Sequence, residues 1–348
     1  MKLSIVELGT VAPGTDEKQA LIDALETARH AESVGFHRVW FAEHHLNAMG
    51  ASHHPELLIA NAAAQTSRIR LGSGSVLMNH YSPFKIAEMF KELEALAPGR
   101  VDLGMGRATS GPVIDLALQQ NRQHPVQADH QQQILETLAW LYAAFPEDHA
   151  FAGNRVMPSV PEIPQTWLLG SSPGGSNLAA GLGIGYTFAG FINPGGAAGS
   201  MRNYREQFQP QGFGLEKPRS ILAVNVTVGE TATEAQHLVG SAKAFYARLS
   251  GGNLATLVPS ADEAARELTE GERDQPTSIV DGQWPQFVAG DPKQVRATLE
   301  QMIEESQADE LMVQNLIADP DDRRHSHELL SQMFDLEPPH RVERWPGM

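Results

Sequence analysis

The side chains best suited to proton chemistry are crowded into one stretch: Glu43-His44-His45, then His53-His54, with His80 further on. Histidine changes charge near neutral pH, so this cluster can supply a general acid or base. The same residue types also ligate metals. Metal enzymes usually present ligands at fixed spacings, such as two histidines four apart on a helix, and no such pair occurs. Adjacent histidines at a strand end point to opposite sides, which sets His44 and His45 apart. Three readings stay open on the residues alone: proton transfer, a metal-dependent hydrolase built on His44, His45, His53, His54 and His80, and a structural pair.

Three further segments have types suited to holding a ligand. Gly104-Met105-Gly106-Arg107-Ala108-Thr109-Ser110 combines glycines, which admit close backbone approach, with an arginine that can grip a phosphate through charge-assisted hydrogen bonds. Leu168-Leu169-Gly170-Ser171-Ser172-Pro173-Gly174-Gly175-Ser176 runs into a helical pattern of Leu178, Ala179 and Leu182. Hydroxyls and free N–H groups at a helix start form an anion site, although an ordinary N-cap fits the same residues. The segment lacks the lysine of a P-loop and the spacing of a dinucleotide fingerprint. In Leu71-Gly72-Ser73-Gly74-Ser75, the small residues make room for a flat ring against the backbone, or for tight strand packing.

These segments need elements to carry them. Candidate strands lie near 2–8, 38–42, 69–78, 100–105, 165–170, 185–191, 220–228 and 310–314, with helical patterns between them. Eight such units predict a (β/α)8 TIM barrel rather than an open doubly wound sheet, and in a barrel the residues after each strand gather at the carboxyl-end face. Helices are predicted from Thr15-Asp16 to Gly35, from Ser82-Pro83 to Pro98-Gly99, and onward from Asp291-Pro292. Polar stretches at 106–129 and 250–288 are long insertions at the carboxyl-end face, and the second is expected to be a mobile lid. The whole chain, 1–348, is read as one barrel domain.

Composition narrows the chemistry. With no cysteine, disulfides, thiolate metal sites and a cysteine nucleophile are excluded, so redox chemistry must come from a bound cofactor. A formal net charge of -16 would repel nucleic acid and anionic membranes. The Met1–Glu7 start carries no signal-peptide or membrane-span pattern, and a cytoplasmic protein is expected.

In order along the chain, the Met1-Lys2 strand, Val39-Trp40-Phe41-Ala42-Glu43-His44-His45, Leu71-Gly72-Ser73-Gly74-Ser75, Pro98-Gly99-Arg100-Val101-Asp102-Leu103-Gly104-Met105-Gly106-Arg107, Leu168-Leu169-Gly170-Ser171-Ser172, Val288-Ala289-Gly290-Asp291-Pro292 and Ala308–Val313 resemble the bacterial luciferase-like monooxygenase family. The likeness spans nearly the whole chain. It implies FMN as cofactor, often supplied in reduced form by a separate flavin reductase, and oxidation of a small organic substrate with dioxygen, on a homodimer by analogy. His44 matches the family's active-site histidine, and Gly74-Ser75 a position where the family often has a non-prolyl cis peptide. Arg107 matches the phosphate-binding arginine, Thr109 and Leu169 the ring contacts, and Ser171, Ser172, Gly175 and Ser176 the phosphate cradle. The luciferase itself carries a reactive cysteine where this chain has Gly106, so light emission is not implied. A deazaflavin-dependent dehydrogenase on the same barrel, and a non-catalytic flavin-binding paralogue, are the alternatives.

Overall fold

The computed structural model describes residues 1–46, 48–107, 111–118, 129–253 and 255–337. Ten strands occur among them: β1 (Lys2–Glu7), β2 (Arg38–Phe41), β3 (Arg70–Ser73), β4 (Val76–Leu77), β5 (Val101–Gly106), β6 (Gln165–Gly170), β7 (Gly185–Ala189), β8 (Ser220–Val228), β9 (Phe287–Gly290) and β10 (Glu310–Gln314). Every strand pairing is parallel, and the ring β1-β2-β3-β5-β6-β7-β8-β10 closes through the β10–β1 and β10–β8 pairs. The expected (β/α)8 barrel is therefore the observed fold.

Helices cover the outside: α1 (Glu17–Ser33), α2 (Pro55–Gln65), α3 (Pro83–Leu96), α4 (Pro112–Leu118), α5 (His130–Tyr142), α6 (Pro173–Leu182), α7 (Pro194–Gln207), α8 (Ala232–Leu238), α9 (Gly240–Ser250), α10 (Ala261–Glu267), α11 (Glu270–Arg273), α12 (Pro292–Ser306) and α13 (Pro320–Met333). Their ends follow the sequence signals. Asp16 caps α1 by accepting from Gln19 N at 2.9 Å, and Asp291 forms a capping box with Gln294 at the start of α12. Gly35 ends α1 with φ of 93°, and a Cβ there would lie 2.8 Å from the Glu337 carbonyl oxygen, so the position requires glycine twice over.

Two strand readings need correction. The candidate strand 69–78 is two short strands, β3 and β4, separated by a cis Gly74-Ser75 peptide. The Val288-Ala289-Gly290 run, read as a lead-in to α12, is the strand β9. It pairs with the last four residues of the nine-residue β8, whose first half pairs with β10. A four-residue run directly before an Asp-Pro cap carries too little periodicity to announce a strand. The two insertions contain the short helices α4, α10 and α11, and Lys243 of α9 ties the second one down by donating to the Arg273 and Gln275 carbonyls at 2.6 and 3.0 Å. No described helix is long and apolar enough to cross a membrane.

Inside the ring, alternate residues point inward, and the lowest layer is ionic. Arg38 donates to Asp102 Oδ2 at 2.6 Å and to both oxygens of Glu310 at 2.7 and 2.9 Å. Arg70 donates to Asp102 Oδ1 at 2.6 Å, Trp40 Nε1 to Asp102 Oδ2 at 2.9 Å, and the Ser4 hydroxyl to Glu310. Burial pushes the Asp102 carboxyl up, but Arg38 and Arg70 outweigh it and hold it below the usual carboxylate range. Arg38, Asp102 and Glu310 are almost wholly buried, so each depends on the others.

Asp102→Ala leaves two guanidinium groups and an indole N–H without their acceptor. The expected loss is about 3 to 5 kcal/mol of unfolding free energy, read by denaturant titration; an unchanged midpoint would show that the network is not what closes the ring.

Candidate functional site

The carboxyl ends of β5 and β6 lie side by side, with Met105 opposite Leu168, so Arg107 and the Gly170-Ser171 exit leave the barrel together. Two cavities meet there. One of about 600 Å³ is lined by His44, Gly74, Ser75, Gly106, Arg107, Leu169, Gly170 and Ser171 among others, and spans the barrel mouth. The second, of about 540 Å³, is lined by Ser172, Gly174, Gly175, Leu178 and His130. They share Arg107, Leu169, Gly170 and Ser171.

Of the residues singled out in the sequence, His44, Gly74, Ser75, Arg107, Leu169, Ser171, Ser172 and Gly175 border this joined space. Ser176 does not. Its side chain is fully buried, donates to the Pro173 carbonyl at 2.8 Å and accepts from Asn203 Nδ2 at 3.0 Å, which turns the hydroxyl into the helix instead of the cavity. Thr109 lies outside the described residues.

The second cavity has the character of an anion site. Ser172 is the N-cap of α6 with an exposed side chain that makes no capping bond, and Pro173 occupies the first turn. The opening N–H groups of a helix have no intrahelical acceptor and carry the positive end of its dipole. Arg107 is exposed and makes no ion pair among the described residues, which leaves its guanidinium available to the space it shares with Ser171. His130 is a member that sequence reasoning missed. It opens α5 after the Asp129 cap, and burial first, with the Arg107 charge second, lowers its pKa below the ordinary histidine value. The signal was present: a cap followed by Ile134, Leu138 and Leu141 at helical spacing marks a helix start, and every such start lies on the carboxyl-end face.

The first cavity holds the histidine. His44 is pinned through its backbone, with its N–H donating to Ser52 O at 3.0 Å and its carbonyl lying 2.5 Å from His53 Nδ1. Its own Nδ1 is buried and has no hydrogen-bond partner among the described residues. Burial is the main cause, and His45 and His53 lesser ones, of a pKa lowered to about 4, so the ring is neutral through the whole physiological range. Glu43 also borders this cavity, but its oxygens are engaged: it accepts from Tyr81 at 2.7 Å, from His45 Nε2 at 2.8 Å and from Leu77 N at 2.9 Å. His80 approaches Asp115 at 3.5 Å. Among the described residues no three histidine or carboxylate side chains converge as a metal would require, which leaves the hydrolase reading without a ligand set.

One wall of the first cavity is largely backbone, at Gly74, Ser75 and Gly106. The Gly74-Ser75 peptide is cis, at the position named from the sequence. A Cβ on Gly106 would fall 2.0 Å from Ser75 Oγ and 2.9 Å from Ser75 Cβ, and a Cβ on Gly104 would fall 2.0 Å from the Ser73 carbonyl oxygen. Serine fills the volume that a side chain at 106 would need, so the glycine and the serine are a matched pair. Gly106→Ala is expected to lower the melting temperature and the affinity for a ring-shaped ligand, and Ser75→Gly in the same chain to restore part of both. Additive losses in the double variant would contradict the contact.

The family model described as luciferase-like monooxygenase matches residues 1–310. The chain is 36% identical to the uncharacterized protein YwcH of Bacillus subtilis (strain 168) over 96% of its own length and 99% of that protein. It is 33% identical to a luciferase-like monooxygenase of Escherichia coli (strain K12), over 94% of this chain and 95% of the other. The crystal structure of apo-MsnO8 superposes with a TM-score of 0.88 at 37% identity, covering 97% of this chain and 99% of that one. With the barrel, the joined cavities and these likenesses together, the chain belongs to the luciferase-like monooxygenase family.

Proposed function

We propose that the chain is an FMN-dependent monooxygenase that oxidises a small organic substrate with dioxygen. The observation that carries this reading is the junction of the two cavities at Arg107, Leu169, Gly170 and Ser171. A ligand with a phosphate at one end and a flat ring at the other fits that shape: the anion side offers Arg107 and the α6 start, and the ring side offers the Gly74-Ser75 floor with the unpartnered His44 Nδ1 beside it. Reduced FMN, when bound, supplies the electrons with which dioxygen is activated.

The chain's own groups have distinct tasks. Arg107, Ser171 and Ser172 hold the phosphate, with Gly175 letting the α6 backbone come near. Leu169 bears on the ring. Leu8, Leu77, Phe191 and Leu249 line the mouth and exclude water from the reacting centre. His44, uncharged at neutral pH, holds or moves a proton at Nδ1. A barrel of this fold at 21% identity is a type II Baeyer–Villiger monooxygenase in complex with FMN, and one at 16% is an F420-dependent secondary alcohol dehydrogenase. Both share only the fold with this chain; the family likeness at 33% to a protein named a monooxygenase favours the oxygen-using reading. A separate reductase as the source of reduced flavin, and a homodimer as the working assembly, complete the proposal on the strength of the family resemblance.

Admitting air to the anaerobic complex with reduced FMN and a panel of organic substrates tests the reading: oxygen uptake coupled to an oxygenated product supports it, and anaerobic hydride transfer with a deazaflavin in place of FMN would replace it. Arg107→Ala is expected to raise the dissociation constant for reduced FMN about ten-fold or more, since a charge-assisted contact contributes roughly 1.5 to 3 kcal/mol; an identical titration would remove Arg107 from the phosphate site. His44→Asn is expected to slow oxygenation with FMN affinity retained. Because a histidine with a pKa of about 4 gains its proton only as the pH falls that far, the wild-type to variant rate ratio should stay constant between about pH 6 and pH 8. A ratio that falls away near pH 6.5 would mean that His44 titrates normally.

A further inference from the structure

The cavity that holds His44 has two unlike halves. From β2 round to β6 its wall carries Glu43, His44, Ser75 and Arg107; from β7 round to β1 it is built of Phe191, Ile192, Leu249, Val6 and Leu8. Among the described lining residues of that second half, Gln314 is the polar one and none is charged.

Gln314 ends β10 directly opposite Asn225 of β8, so both amides face the same side of the sheet, toward the barrel interior. They are 5% and 3% exposed. Tyr246 of α9 donates its phenol to Gln314 Oε1 at 3.4 Å and also lies beside the Asn225 amide. With its oxygen engaged, Gln314 presents its Nε2 donors, for which no acceptor occurs among the described residues, to the cavity. The Asn225 amide is buried against the Tyr246 hydroxyl and does not itself line the cavity. Buried amides are almost always satisfied, so Gln314 donors that open into the cavity without an acceptor point to a polar group brought by a ligand.

We propose that the Gln314 amide, oriented by Tyr246, recognises the organic substrate, and that this substrate is an uncharged, mainly apolar molecule carrying a hydrogen-bond-accepting group such as a carbonyl. The inference rests on the reading above in which the flavin takes the half containing Arg107 and Gly74-Ser75. What the apolar half then offers is a greasy wall with amide donors and no counter-charge. An anionic substrate would lose its hydration there with nothing to replace it. A pure hydrocarbon would leave the Gln314 donors unsatisfied.

The test uses the full chain loaded with oxidised FMN and three probes of similar size: cyclohexanone, methylcyclohexane and cyclohexanecarboxylate. Binding is read by ligand-observed NMR, which needs no turnover, and FMN binding is measured separately on every protein by quenching of flavin fluorescence. Cyclohexanone is expected to bind the wild type more tightly than the carboxylate does. Gln314→Leu should weaken the ketone about five- to ten-fold while methylcyclohexane binds both proteins alike. Tyr246→Phe, which keeps the shape and removes only the hydroxyl, should weaken the ketone by a smaller factor and guards against a folding defect in the first variant. Unchanged ketone binding in both variants with FMN binding intact, carboxylate binding as tight as ketone binding, or no ketone binding to the wild type would each overturn the proposal. If the wild type fails to bind FMN yet shows the ketone pattern, the flavin reading falls and the amide site stands.

Discussion

The bottom of the barrel is closed by a set of charges that satisfy one another, and the heights at which the functional residues emerge follow from it. Arg38 bridges Asp102 and Glu310, Arg70 shares Asp102, and Ser4 completes Glu310. Each of these residues sits on a strand that carries a member of the site at its other end: Arg38 leads to His44, Arg70 to Gly74 and Ser75, Asp102 to Arg107, and Glu310 to Gln314. Hydrogen bonds of 2.6 to 2.9 Å among β2, β3, β5 and β10 leave little freedom for one strand to slide against the next. A one-residue slip in any of them would break a buried ion pair and turn an inward residue outward.

Above that layer stand Trp40 and Trp167, and above them the β3 and β5 side of the wall is glycine and serine. Trp40 and Trp167 meet edge to face at 5.7 Å, and the Arg38 guanidinium stacks over the Trp167 ring at 4.9 Å. The indole of Trp40 rises toward Gly74, where a Cβ would come within 3.0 Å of its own Cβ. Glycine at 72 and 74 is what fits beside Trp40, whereas glycine at 104 and 106 makes room for Ser73 and Ser75 of the neighbouring strand segment. The cavity keeps two characters, with its charged groups over β2 to β6 and, Gln314 aside, only apolar side chains over β7 to β1.

Much of this was legible in the sequence because the site residues follow strands whose ends are punctuated. Gly104-Met105-Gly106-Arg107 announces a strand exit that carries an arginine, and Ser171-Ser172-Pro173 a helix start. What stayed hidden is what depends on distant partners. Arg38 and Glu310 are 272 positions apart and read as ordinary surface charges until the barrel brings them together. Gln314 and Asn225 gain their meaning only from strand register, and β9 only from the extra length of β8. Ser176 carries the residue type of a phosphate ligand, yet it lies one turn into α6, where its hydroxyl returns to the Pro173 carbonyl. Residue type proposes a role in each case; position within the element decides it.

The claim at the centre is that the phosphate of the cofactor is gripped where the two cavities join. Parallel anaerobic titrations of the wild-type chain with reduced FMN and reduced riboflavin, which differ only by that phosphate, test it most directly. The account predicts that riboflavin binds at least about ten-fold more weakly, the worth of a charge-assisted contact to Arg107 together with the α6 start. Equal affinity for the two flavins would contradict it.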